Sequence, residues 1–207
     1  MKTYHLTGKA PFFTNCYMVC SDEGTAVLID CSADIEDIKK ILENDRVSLS
    51  AVLLTHGHAD HIETLEQVKN EFGCPVYLRA PDALLFGIEG TTDYPGSDED
   101  PYDPDGEIQP KIHRLTFGDM TFYYIFTPGH TPGGVCISCG DMLFCGDTLF
   151  AGTVGRTDLQ GGDWDTLNNS LKKIVSVIKT NLKVLPGHNH FSTFEREKRT
   201  NPYLRNL

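Results

Sequence analysis

At 207 residues, 40% of them hydrophobic and 23% charged, the chain has the material for one ordinary core, and no apolar run approaches the ~20 residues that a bilayer crossing needs. A net charge of −11 from 18 basic and 29 acidic residues, with no basic stripe, argues against gripping a phosphate backbone, so neither nucleic acid nor a membrane is an expected partner. The opening MKTYHLTGKAPFF has no basic cluster, long apolar centre or small-residue cleavage site, and seven cysteines lack a small-domain framework; both point to a reducing, cytoplasmic setting.

In chain order, NCYMVC (15–20) and TAVLID (25–30) are expected as strands joined by the turn Asp22-Glu23-Gly24. Ile35, Ile38, Ile41 and Leu42 recur at helical spacing over 34–43. AVLLT (51–55) is a short apolar strand; Ile62, Leu65, Val68 and Phe72 mark a second amphipathic helix, and VYL (76–78) a further strand. From Gly87 to about Gln109 the periodicity is lost. This is read as a long surface loop, and residues 93–107 within it hold seven of the acids and no lysine or arginine. Its D-P-D-G lacks the twelve-position pattern of an EF-hand.

Strand signals resume at KIHRLTF (111–117), MTFYYIF (120–126), VCIS (135–138) and MLF (142–144), with turns at Gly118-Asp119 and Gly140-Asp141. Cys136 and Cys139 lie three apart on one of these strands, hence on opposite faces, and are read as core thiols. Asp163 sits where a helix cap belongs, before Trp164, Leu167, Leu171, Ile174, Val175 and Ile178 on one helical face. A last strand, KVL (183–185), ends at Pro186-Gly187. No linker divides two cores, so a single domain over 1–207 of mixed α and β structure is expected.

Four apolar strands end alike. AVLLT runs into His56-Gly-His58-Ala-Asp60-His61, YYIFTPG into His130, MLFCG into Asp147 and KVLPG into His188. Strand ends followed by glycine or proline turns present side chains to a shared cleft, and imidazole and carboxylate are the donors that hold zinc, iron or manganese. His56 and His58, two apart on a turn, can close on one ion. Asp60 and His61 project differently and can serve a second. A further histidine completes each set, and one carboxylate can bridge the pair, as a two-metal hydrolytic site requires. Taken singly, each of these residues reads as an ordinary loop or turn residue. Four donor types within six positions, plus three more strand ends of the same kind, do not.

T-H-G-H-A-D-H (55–61), T-P-G-H (127–130), C-G-D-T-L-F (145–150) and L-P-G-H (185–188) resemble, in order and spacing, the metal motifs of the metallo-β-lactamase superfamily. Within it, TPGHTPG (127–133) and GDTLF…GRTD (146–158) look most like glyoxalase II (hydroxyacylglutathione hydrolase) and its short relatives. The resemblance implies an α/β fold, an αββα sandwich of two mixed sheets with the metals at one edge. It implies two divalent ions, zinc first and iron or manganese as alternatives. His56, His58 and His130 would hold the first; Asp60, His61 and His188 the second; Asp147 would bridge. The ions would turn a shared water into hydroxide, with Asp60 orienting or deprotonating it as the catalytic carboxylate. The implied substrate is a small-molecule thioester of the S-lactoylglutathione type.

Some positions depart from the pattern. Ile29-Asp30-Cys31-Ser32 stands where relatives often read IDPG, and Asn189-His190 where many read GP; His190 is expected to face solvent. After His188 too few residues follow for the helical glutathione-binding domain of glyoxalase II proper. Arg156 is the candidate for a substrate carboxylate, through bidentate contact, with an ion pair to Asp158 as its structural alternative. The rival activities are a mononuclear-iron persulfide dioxygenase of the same fold and a lactonase; the non-enzymatic rival is a metal- or metabolite-binding protein.

Overall fold

The computed structural model describes residues 1–96 and 112–207; most of the acidic segment lies outside the described residues. The chain groups into two compact units, Met1–Tyr94 with Leu115–Thr121, and Pro95–Arg114 with Phe122–Leu207.

The first unit is built on a five-stranded sheet in the order β1-β2-β3-β4-β5: Lys2–Thr7, Asn15–Cys20, Thr25–Ile29, Ser48–Leu53 and Val76–Tyr77. β1, β2 and β3 are antiparallel, whereas β3, β4 and β5 run parallel. Parallel neighbours need a crossover, and two helices supply it: α1 (Ile35–Asp45) and α2 (Leu65–Phe72). Asp34 starts α1 by accepting the Glu36 N–H at 3.0 Å. Ile38 and Leu42 turn from α1 into a core with Cys16, Met18, Leu28 and Val52, each burial contributing ~1.5–3 kcal/mol. A third helix, α3 (Ala80–Phe86), carries Pro81 in its first turn.

The second sheet runs β13-β12-β9-β8-β7-β6, from Ser192–Thr193, Lys183–Pro186, Met142–Gly146, Val135–Cys139, Met120–Phe126 and His113–Phe117. Its β12 and β9 are parallel, while β7, β8 and β9 are antiparallel. The hairpin β10–β11 (Leu149–Phe150 and Thr153–Val154) stands apart as a two-stranded ribbon. Helix α4 (Trp164–Val177) is capped by Asp163, which accepts the Thr166 N–H at 2.7 Å. Its Leu167, Leu171 and Ile174 pack with Ile125, Cys136, Leu143 and Val184, and Phe194 of α5 (Phe194–Thr200) joins the same core. Two mixed sheets flanked by helices are the expected fold class.

The short strands β10, β11 and β13 and the elements β1, α3 and α5 depart from the sequence-based reading. β1, α3 and α5 lack a strong apolar period: β1 alternates exposed with half-buried positions, and each helix is seven residues long, too short to stand without tertiary contacts. Cys136 and Cys139 are both buried, in line with their reading as core side chains. Burial pushes the Cys16 thiol up to about 12; such thiols are inert packing groups. Among the described residues no helix is long and apolar enough to cross a membrane.

Candidate metal centre

His56, His58, Asp60 and His61 belong to the first unit, and His130, Asp147 and His188 to the second. In the first unit the chain leaves β4 and turns at once. His56 Nε2 lies 3.1 Å from His58 Nδ1, and Asp60 Oδ2 lies 3.7 Å from His61 Nε2. Neighbouring ligands at ~2.0–2.1 Å from a tetrahedral ion stand ~3.3 Å apart, so each pair is spaced as two donors of one ion are. The pairs are those that the motif's spacing separates.

A buried carboxylate organises this turn. Asp30, at the end of β3, adopts the left-handed backbone conformation with φ 59° and is 1% exposed. It accepts the Thr55 N–H at 2.7 Å and the Thr55 hydroxyl at 2.9–3.0 Å, and His61 Nδ1 at 2.8 Å. A carboxylate only accepts, so Nδ1 carries the proton and Nε2 keeps its lone pair for a ligand. With its proton given to Asp30, the Thr55 hydroxyl accepts from His56 Nδ1 at 3.1 Å, which assigns His56 the same tautomer. Two further residues hold the turn from outside the motif. Thr14 donates to Asp60 Oδ2 at 2.6 Å, and Asp82 of α3 accepts the Gly57 N–H at 2.8 Å.

In the second unit the parallel pairing of β12 and β9 sets the geometry. Pro186 pairs with Gly146 across a register shift, and the Gly187 N–H reaches the Gly146 carbonyl at 2.8 Å. Asp147 and His188 therefore leave the sheet side by side. Asp147 Oδ2 is 3.5 Å from His188 Nε2 and 3.5 Å from His130 Nε2. His130 Nδ1 donates to the Arg156 carbonyl at 2.7 Å, again leaving Nε2 as the donor atom. The backbone runs close here. A Cβ on Gly155 would lie 1.8 Å from the Asp147 carbonyl oxygen, and one on Gly129, at φ 133°, would lie 2.3 Å from Leu167.

The sequence places seven candidate donors at strand ends, and each unit brings its own candidates together. Sequence reasoning missed Thr14 and Asp82, which hold the motif from distant positions, and gave Asp30, the shared aspartate of the IDPG pattern, no role. His190 is exposed, as expected. Arg156 makes a bidentate pair with Asp158 at 2.6 and 2.7 Å, which holds the Asp158 carboxyl down to about 2; both side chains are exposed. Imidazole and carboxylate without thiolate form a donor set that fits zinc, iron or manganese. Cys145, two residues from Asp147, turns its thiol to the Leu143 carbonyl instead.

The family model of the metallo-beta-lactamase superfamily matches residues 10–188. The chain belongs to this superfamily of metallo-hydrolases. Among curated relatives, an uncharacterized protein of Mycobacterium leprae is 36% identical, over 93% of this chain and 94% of its own length. Hydroxyacylglutathione hydrolase GloC of Haemophilus influenzae is 32% identical over 93% of each chain. Among solved structures, the B3 metallo-beta-lactamase BLEG-1 aligns with a TM-score of 0.78 at 31% identity, covering 98% of this chain and 99% of that one. ETHE1 from Myxococcus xanthus gives 0.75 at 25% identity, covering 100% and 85%. TTHA1623, in a di-iron-bound form, gives 0.73 at 31% identity, covering 97% and 100%.

Proposed function

We propose that the chain is a two-metal thioesterase that hydrolyses hydroxyacyl-thiol esters of the S-lactoylglutathione type. His56, His58 and His130 would hold one divalent ion and Asp60, His61 and His188 the other, with Asp147 as the carboxylate available to both. Zinc is the first expectation, with iron or manganese also suited to the donors. The observation that carries this reading is Asp147 Oδ2, placed 3.5 Å from Nε2 of both His130 and His188, where one carboxylate could serve two imidazole-held ions. The GloC relative's name and the di-iron form of TTHA1623 support it.

When bound, two such ions acidify a water and polarise a carbonyl oxygen. The chain's own residues supply orientation. Asp60, its Oδ2 anchored by the Thr14 hydroxyl, accepts a hydrogen bond from the attacking water and lines it up on the thioester carbon. Asp30 and the Arg156 carbonyl hold His61 and His130 in the tautomer that presents Nε2. With a net charge of −11, the chain is suited to a small-molecule substrate rather than to nucleic acid or an anionic membrane, and its seven cysteines outside any disulfide favour a reducing, cytoplasmic setting.

The test is elemental analysis of native protein with assays on the same sample. About two ions per chain and S-lactoylglutathione hydrolysis without oxygen uptake are expected. At most one iron, with rapid oxygen consumption on glutathione persulfide and no thioesterase rate, would replace this reading by the dioxygenase. Turnover of a β-lactam alone would move the substrate class.

Arg156 is assigned the substrate carboxylate. Its pair with Asp158 is exposed on both sides and screened by water, so a substrate carboxylate can compete for the guanidinium. Arg156→Ala should lower kcat/KM on an acidic thioester about ten- to a hundredfold, the loss of a charge-assisted contact. Neutral thioesters, metal content and Tm should stay near wild type. Equal losses on acidic and neutral substrates with a lower Tm would remove Arg156 from the binding site.

A further inference from the structure

We infer that Glu197, on the C-terminal helix α5, is a positioning residue for the metal ligands of the second unit; the inference rests on the two-metal reading above. Glu197 and Asn201 are both 0% exposed. Glu197 Oε2 accepts the Gly152 N–H at 2.8 Å and the Asn201 side-chain amide at 2.9 Å, and Oε1 accepts the Ser192 hydroxyl. The same Asn201 amide nitrogen reaches the Phe150 and Thr153 carbonyls at 3.3 and 3.0 Å. The two side chains therefore hold the tip of the β10–β11 hairpin by its own backbone groups. That hairpin is the span between Asp147 and Arg156.

What it delivers is the orientation of two ligands. Directly after β11, Gly155 presses on the Asp147 backbone so closely that no side chain fits. The next residue gives its carbonyl to His130 Nδ1 at 2.7 Å. Ser192, bound to the other carboxylate oxygen, pairs with Val184 of β12, the strand that leads into His188. One buried carboxylate thus ties together the segments that follow Asp147 and His188. A buried acceptor with three donors has no freedom to drift, and the partners that orient a ligand usually tune the ion as much as they tune the fold. Nothing in the motif spacing points to Glu197, because it lies 41 positions from Arg156 and reaches the site through backbone.

The experiment is metal titration of the full chain, stripped by chelator and refilled with Co²⁺ or Zn²⁺ against a competing chromophore, well below Tm and with circular dichroism on each sample. Glu197→Ala should stay folded, bind its ions about ten- to a hundredfold more weakly and change the visible spectrum of the cobalt form. Glu197→Gln should remain within about threefold of wild type. Its amide oxygen can take the Gly152 and Asn201 donors, and its NH₂ can donate to the Ser192 hydroxyl, which is able to accept. Folded Glu197→Ala with wild-type affinity and spectrum would show that Glu197 only holds the helix, and would overturn the inference alone. Should Glu197→Ala fail to fold, Asn201→Ala, which releases Phe150 and Thr153 but keeps Glu197, decides by the same titration: weakened binding supports the inference and unchanged binding overturns it. A wild-type chain that takes up at most one ion overturns the two-metal reading, and this inference with it.

Discussion

Asp147→Ala is expected to lose metal and activity together. Its Oδ2 is placed 3.5 Å from both His130 Nε2 and His188 Nε2, so both proposed ions would lose a ligand in one substitution. Without the shared anion, two divalent ions held mostly by neutral imidazoles repel each other with less to offset it. Metal content should fall from about two ions to one or fewer. Thioester turnover should fall about a thousandfold, the factor that ~4 kcal/mol of lost transition-state stabilisation produces. The folded state of the metal-free chain should survive, because Asp147 is not part of the apolar core. Wild-type Tm should rise on adding Zn²⁺ by mass action, and that rise should shrink in the variant. Asp147→Ala with two ions and near-normal turnover would remove the bridge from the mechanism.

The second large effect is at Asp30, where two substitutions should separate folding from metal binding. Asp30→Ala leaves the Thr55 N–H, the Thr55 hydroxyl and His61 Nδ1 buried without their acceptor, at ~1–3 kcal/mol each. It also puts a Cβ-bearing residue that disfavours the left-handed region at φ 59°. The sum is a large share of a typical 5–15 kcal/mol stability, so a low Tm or insoluble protein is expected. Asp30→Asn is gentler, since asparagine tolerates that backbone and its Oδ1 can still accept from Thr55. Its NH₂ would then face His61 Nδ1, which must accept instead of donate. That moves the imidazole proton to Nε2, the nitrogen meant for the ion. Asp30→Asn should fold, yet bind the His61 ion about ten- to a hundredfold more weakly. Wild-type metal affinity in Asp30→Asn would show that Asp30 serves stability alone.

Much of this was legible in the chain itself, because it is written locally. Strands β2, β3 and β4 are apolar runs bounded by turns, and α1 and α4 carry both a 3.6-residue period and an aspartate cap. The seven candidate donors announce themselves because four crowd into six positions and the others follow apolar strands. β1, α3 and α5 were not legible. A polar edge strand and two seven-residue helices have weak local preference, and they form because a core is already there to receive Tyr4, Ala83 and Phe194.

Sequence alone determined the donor types and the order in which strands present them, since both depend on residue identity and short-range periodicity. Which imidazole nitrogen faces outward, and what holds it there, was decided only by tertiary structure. Asp30 meets His61 across 31 positions, Thr14 meets Asp60 across 46, and Asn201 holds Phe150 across 51. Each is a single polar residue whose partner is chosen by sheet register and helix docking. A lone buried hydrogen bond has no sequence period; its direction exists only once both backbones are in place.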